Sequence, residues 1–402
     1  MADTASTHLP AQPALYRSPQ AEHGSTVALK LLALFLGLAV GVMIPLVAWL
    51  AASADDARSD AQAAAKSASA GGAMSPMPGM SAMPGMSGAA SKEGSYASPS
   101  FAGIAPANAD ALALAHKAYP AELAAAPAGP VARVHLSMRH GVVSIAPGIR
   151  YEAWTFGKTA PGPVIHVREG QRVEVTLTNN GPMLHSVDFH AAQVAPNLAF
   201  SDVMAGKSKT FSFVASVPGV FMYHCGTVPA FVHIANGMYG AIVVEPKNLP
   251  PAQKQYVLVS SEWYLNGPGD KTPAALDLTK ANNMTPDWVT WNGYAHQYKE
   301  HPLTAMPGDT VRFWVVDAGP SLNTEFHVVG TILSHAWVES ALRDTPRHDV
   351  QTSVVPAGGG GVFDVKIANP GIYPFVSHSF ASVNLGEVGL LKVGHVAGTM
   401  GH

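Results

Sequence analysis

Cysteine occurs once in 402 residues, at Cys225. That excludes an intramolecular disulfide framework, and it leaves the compartment open, because a lone thiolate can serve as a metal ligand even in an oxidising space. Charge is also scarce: Asp, Glu, Lys and Arg make up 13% of the chain, and the net charge of −3 gives no reason to expect a nucleic-acid partner. What is plentiful is apolar surface, 48% of the residues, with 38 glycines and 32 prolines to break it into short pieces. The length suits two domains and a tail.

Residues 31–52 carry no charge, and at helical rise they are long enough to span a bilayer. Lys30 flanks the run on one side and Asp55 and Asp56 on the other. Ala52-Ser53-Ala54 resembles a cleavage site, but the run exceeds the 7–15 residues usual for a cleaved peptide. The expectation is a cytoplasmic segment at 1–30 and an uncleaved transmembrane signal anchor at 31–52. The remainder is then exported, on the periplasmic side of an inner membrane. Residues 53–126 form a Met/Ala/Ser-rich tether and lead-in, too poor in large apolar residues to hold a core. Met74, Met77, Met80, Met83 and Met86 recur there at every third position. They are either soft thioether ligands for Cu(I) or a biased linker repeat.

From residue 131 the texture changes to alternating runs at 134–138, 142–145, 151–156, 164–167, 173–177, 209–214 and 241–244, rich in Val, Thr and aromatics. This is an all-β pattern of Greek-key sandwiches, with domains expected at 127–246 and 255–394 across a Pro-containing linker. The two blocks repeat each other. Gly170-Gln171-Arg172-Val173 leads to Asn180-Gly181-Pro182, and Gly308-Asp309-Thr310-Val311 leads to Ala318-Gly319-Pro320 at the same interval. Pro218-Gly219 precedes Tyr223-His224-Cys225, and Pro370-Gly371 precedes Ser377-His378-Ser379. Where the first block has His185 and Cys225, the second has Asn323 and Ser379; yet His327 matches His190, and His378 matches His224.

Cys225 is followed by His233 and Met238, and His185 lies upstream after the Gly-Pro turn. One thiolate, two imidazoles and a thioether make the ligand set of a blue-copper electron-transfer site. The alternative is a buried free cysteine with unrelated neighbours. His185 and His190 are an odd number apart in an expected strand, and His224 adjoins Cys225, so His190 and His224 point away from the first set together. Two imidazoles leave a site incomplete; a third comes from His327 or His378, giving a three-histidine metal with an open position. Asp188, two residues before His190, shares its face and can move protons there.

These residues resemble the two-domain copper-containing nitrite reductases. The carriers are the stretch from His185 through Asp188 to His190, Tyr223-His224-Cys225, His233 with Met238, Phe326-His327 with Val329-Gly330, and Val376 with His378. The resemblance covers about residues 131–393 and implies two tandem cupredoxin-like domains in a homotrimer. It implies a type 1 copper on His185, Cys225, His233 and Met238. It also implies a type 2 copper, at the subunit interface, on His190 and His224 of one chain and His378 of a neighbour. Asp188 and His327 are then the catalytic acid pair, and Val329 caps the nitrite pocket. The expected activity is dissimilatory reduction of nitrite to nitric oxide, fed by a small redox protein, a cytochrome c or a cupredoxin. Two departures stand out: Val232 replaces the Trp usual before the histidine ligand, in a loop one residue shorter, and Val329 replaces the usual Ile. A laccase-like multicopper oxidase is disfavoured, because the sandwich blocks contain no His-x-His and Gly226 follows Cys225. A membrane-tethered electron-transfer or copper-handling protein without nitrite reductase activity is the other alternative.

Overall fold

The computed structural model describes residue 106 and residues 108–397, all within one compact unit, Ala89–His402. The expected membrane span at 31–52 and the methionine repeat lie outside the described residues. Among the described residues no helix is long and apolar enough to cross a membrane. The lead-in carries one short helix, Ala109–Ala115.

Eight strands build the first sandwich: β1 (Val131–Ala146), β2 (Ile149–Phe156), β3 (Ile165–Arg168), β4 (Arg172–Asn179), β5 (Asp188–Phe189), β6 (Ser208–Val214), β7 (Gly219–His224) and β8 (Tyr239–Glu245). They form sheets ordered β2-β1-β4-β6 and β3-β8-β7-β5. Ten strands build the second: β9 (Lys254–Trp263), β10 (Trp288–Trp291), β11 (Leu303–Ala305), β12 (Thr310–Asp317), β13 (Thr324–Val328), β14 (Leu333–Trp337), β15 (Ser353–Val355), β16 (Gly360–Lys366), β17 (Gly371–Ser377) and β18 (Val388–Val393). Their sheets run β10-β9-β12-β16-β14 and β11-β18-β17-β13-β15.

The repeat read from sequence is a repeat of pairing. β1 runs parallel to β4 as β9 does to β12, and β3 parallel to β8 as β11 does to β18. Gly170 and Gly308, each at φ +88°, make the same left-handed turn into β4 and β12, where glycine carries no Cβ penalty. Phe189 opposes Tyr223 and Phe326 opposes Ser377, so His190 and His327 occupy the same place in the two sandwiches.

Two expectations change. The runs at 134–138 and 142–145 are one strand, because Gly141 pairs with Ala153 and the ladder to β2 runs on through it. The strand expected to carry both His185 and His190 is broken. His185 makes an isolated bridge to Val203, the regular strand is only Asp188–Phe189, and His190 lies beyond its end. The Gly-Pro turn consumes the approach to β5, leaving too few residues for a longer ladder.

β7 positions everything that follows. It is covered on both faces, so its alternation sorts residues between two cores. Tyr223 and, just past the strand, Cys225 join the core of the first sandwich. Val220 and Met222 join a second cluster with Val257, Val259, Trp314 and Val362 of the second sandwich. The two sandwiches are thereby fused along an apolar seam, and the alternation sends His224 toward the side opposite Cys225.

Candidate metal centres

Past β7 the chain turns into the short helix Ala230–Ala235, which carries His233, and re-enters the sheet at Met238–Tyr239. Backbone hydrogen bonds lock this loop: Met238 N–H donates to the His233 carbonyl at 3.1 Å and Cys225 N–H to the Met238 carbonyl at 3.0 Å. The side chains of His185, Cys225 and His233 converge. His185 Nδ1 and His233 Nδ1 are 3.1 Å apart, and Cys225 Sγ is 3.2 Å from His233 Nδ1 and 3.8 Å from His185 Nδ1. Met238 is buried in the same core as Cys225. All four residues are 0–1% exposed.

The surroundings hold the sulfur and one imidazole from outside. Ser186 N–H donates to Cys225 Sγ at 3.4 Å, and the Ser186 hydroxyl accepts from Gly226 N–H and the Thr227 hydroxyl. His140 Nε2 meets His185 Nε2 at 2.9 Å, and His140 stacks flat on Trp154. The Trp154 ring stands edge-on to His233, with centroids 4.9 Å apart. Burial, with His233 and His140 alongside, pushes the His185 imidazole down to about 4, against the pull of Asp202. Burial likewise depresses His233. Both rings are therefore neutral near pH 7 and keep a lone pair for a metal.

A second cluster lies across β7. Asp188, His190 and His224 bring one ligand atom each within 4.8 Å of the others, with His190 exposed and the other two half-buried. His190 Nδ1 donates to the Gly358 carbonyl at 3.0 Å and His224 Nδ1 to the Cys225 carbonyl at 2.9 Å. A carbonyl only accepts, so each Nδ1 carries the proton and each Nε2 a lone pair. Those two Nε2 atoms face each other at 3.0 Å. Two lone pairs at that distance repel unless a cation or a proton sits between them, so the geometry fits a metal on the Nε2 pair. Burial also pushes the His224 imidazole down, although its hydrogen bond to the Cys225 carbonyl opposes this.

His327 and His378 form a third group, on β13 and just past β17, with ring centroids 5.5 Å apart. His327 Nδ1 donates to the Gln351 carbonyl at 2.5 Å, which again leaves Nε2 free. His378 is exposed, next to Phe380, and Val329 is 38% exposed. Among the described residues neither His327 nor His378 joins the Asp188–His190–His224 cluster. The nine singled-out residues and Val329 thus fall into a buried cluster, a partly exposed cluster, and a separate pair, His327 half-buried and His378 exposed, with Val329 two residues from His327. Sequence reasoning missed His140, Trp154, Ser186 and Gly358. Trp154 left no local signal because it arrives from β2; Gly358 sits in a four-glycine run that could have been noticed.

The donor chemistry fits copper in both clusters: a thiolate with two imidazoles is soft, and an imidazole pair suits Cu as well as Zn. A multicopper oxidase family model matches residues 137–249. The copper-containing nitrite reductase of Neisseria meningitidis serogroup B is 39% identical over 268 residues, 65% of this chain and 68% of that protein. That of Neorhizobium galegae is 30% identical over 61% of this chain and 70% of that protein. The solved copper nitrite reductase of Nitrosomonas europaea matches with a TM-score of 0.60 and 32% identity, over 67% of this chain and 96% of that one. On this likeness the chain belongs to the copper-containing nitrite reductase family.

Proposed function

We propose that this protein reduces nitrite to nitric oxide and water, consuming one electron and two protons per turnover. The observation that carries the reading is the His224-Cys225 junction. One peptide bond joins a residue of the buried thiolate cluster to a residue of the exposed imidazole cluster, where Asp188 stands. His185, Cys225, His233 and Met238 would hold a type 1 copper; His190 and His224, with His378 of another subunit, would hold a type 2 copper. Bound copper supplies one-electron redox chemistry at the first position and a Lewis-acid site for nitrite oxygen at the second.

The chain's own groups do the rest. Cys225 and His224 provide a short covalent path between the clusters. Nδ1 of His224 and of His190, pinned on backbone carbonyls, keeps both Nε2 atoms aimed outward. Asp188, among those imidazoles, holds a proton close to the substrate oxygen and releases it as the N–O bond breaks. His327, with Nδ1 on the Gln351 carbonyl, presents Nε2 as the second proton carrier. Val329, small and partly exposed, shapes the apolar side of the nitrite pocket.

His190 and His378 are both exposed, which suits two half-sites completed by a neighbour in a homotrimer. We further propose that residues 31–52 anchor the enzyme on the periplasmic side of the inner membrane, where a cytochrome c or cupredoxin delivers electrons. The test is anaerobic nitrite reduction with nitric oxide detection, on protein of measured copper content. Two coppers per chain with stoichiometric nitric oxide support the reading. One copper per chain and no nitric oxide would replace it with an electron-transfer or copper-handling role.

A further inference from the structure

The run Gly358-Gly359-Gly360-Gly361 belongs to the second sandwich, yet it touches the metal cluster of the first. Gly358 opens the turn into β16 at φ +78°, a left-handed conformation that suits glycine. Its N–H donates to the Asp317 carbonyl at 2.7 Å, and the neighbouring Ala357 N–H donates to Asn323 Oδ1 at 3.1 Å. These bonds fix the start of the turn; Gly359 N–H, in the same peptide as the Gly358 carbonyl, closes it on the Pro356 carbonyl at 2.8 Å, and the Gly358 carbonyl receives His190 Nδ1–H at 3.0 Å. Two residues on, a Cβ at Gly360 would stand 2.3 Å from the Val220 carbonyl oxygen, so only glycine lets β16 approach β7 this closely. The buried Ser340 hydroxyl donates to the same Val220 oxygen at 2.8 Å. The backbone of Ser340 is itself held at φ +58°, a strained conformation that persists only where its surroundings over-determine it.

We infer that Gly358 is a positioning residue for the exposed metal cluster: its carbonyl sets the tautomer and ring orientation of His190, so that Nε2 carries the lone pair toward the metal. Asn323 acts one step back, bracing through Ala357 N–H the turn that carries this carbonyl. This rests on the reading of His190 as a metal ligand. It also gives the second sandwich a task in a cluster that its own residues in the same chain do not join. Asn323 stands where the first block has His185, so the second copy keeps a polar residue there for a hydrogen bond to Ala357 instead of for a metal. Outer hydrogen-bond partners of ligating histidines typically change metal affinity by about 10–100-fold.

Two variants of the full-length holoprotein test this, Gly358→Ala and Asn323→Ala, with His190→Ala as reference. The blue absorption of the buried cluster reports the fold. The axial EPR signal reports the exposed one, both its hyperfine splitting and its rate of loss to a chelator. The expected result is an unchanged blue band, a shifted hyperfine splitting and loss of the axial signal about 10-fold faster in both variants. A Gly358→Ala protein that does not fold leaves Asn323→Ala to decide. If Asn323→Ala, and Gly358→Ala where it folds, keep the parent splitting and loss rate, the positioning role is wrong. If His190→Ala retains the axial signal, the assignment of His190 as a ligand fails instead.

Discussion

Asp188 pairs with His224 across the β5–β7 ladder, and its carboxylate lies within 4.8 Å of the two outward-facing imidazoles. Replacing it with asparagine keeps the volume and one hydrogen-bonding oxygen but removes the transferable proton. Asp188→Asn should therefore leave copper content intact and lower nitrite turnover by about 100-fold or more, the usual weight of a positioned general acid. Steady-state nitric oxide production beside metal analysis decides it; full turnover in the variant would remove Asp188 from proton delivery. At this scale the sequence was largely legible. The spacing of Cys225, His233 and Met238 and the parity of His185 against His190 sorted the candidate residues into two groups, and the structure brings His185, Cys225 and His233 together in one and His190 and His224 in another. The parity argument presupposed a strand that exists only as Asp188–Phe189, and the sorting holds because β7 itself alternates. What spacing could not disclose is the cover of His140 and Trp154, since contacts between side chains on different strands leave no local pattern.

Individual elements tell the two sandwiches apart. The helix Ala230–Ala235 ends by handing the His233 carbonyl to Met238 N–H, and the helix Phe380–Asn384 likewise brings the Ser382 carbonyl to Glu387 N–H at 2.9 Å. A buried carboxyl, 1% exposed, thus stands in the second sandwich where Met238 stands in the first. The Thr324 hydroxyl donates to it at 2.8 Å. Burial pushes the Glu387 carboxyl up to about 8, with Glu325 and Glu262 adding to the rise. Asp317, close by and also buried, is pushed up in the same direction. The folded protein therefore holds protons that the unfolded chain releases near the ordinary 4.5 of a glutamate. The stability from Glu387 is full below that pH and is lost as pH rises toward 8, by at most about 1.4 kcal/mol per pH unit. Glu387→Gln keeps an acceptor for Thr324 and has nothing to ionise. Its melting temperature should vary less than the parent's between about pH 5 and pH 8, and parallel slopes in the two proteins would refute the assignment. None of this was visible in sequence, where Glu387 reads as an ordinary strand-edge acid.

For the whole molecule, the decisive property is incompleteness. Among the described residues the His190–His224 pair and the exposed His378 sit in one chain without joining, whereas the proposed three-histidine metal needs all of them. The proposed assembly between chains would resolve this, and it predicts complementation. His190→Ala and His378→Ala proteins should each lack the axial copper signal and activity. Mixed assemblies made by co-expression should recover both, because one interface then pairs intact His190 and His224 with an intact His378. Absence of recovery in verified mixed trimers would return the site to a single chain. The duplication itself was readable from the matched Gly-to-Pro intervals and from Asn323 and Ser379 standing where the first block has His185 and Cys225. The apolar seam of Val220, Met222, Trp314 and Val362 was not, because buried strand residues look alike whichever partner covers them.

His185, Cys225, His233 and Met238 show almost no surface, each 0–1% exposed, with the Trp154 ring edge-on to His233. An ion seated there has no open edge from which to come or go. A metal held by these residues would therefore be loaded most readily while the loop after β7 is open, and closing that loop would enclose it. The His190–His224 pair, one ring exposed and the other half-buried, offers no such enclosure, and a metal on it would exchange more readily with its surroundings. Two ions of one element, ten or so atoms apart along His224 and Cys225, would thus differ in age, one dating from the chain's birth and the other renewed as supply allows.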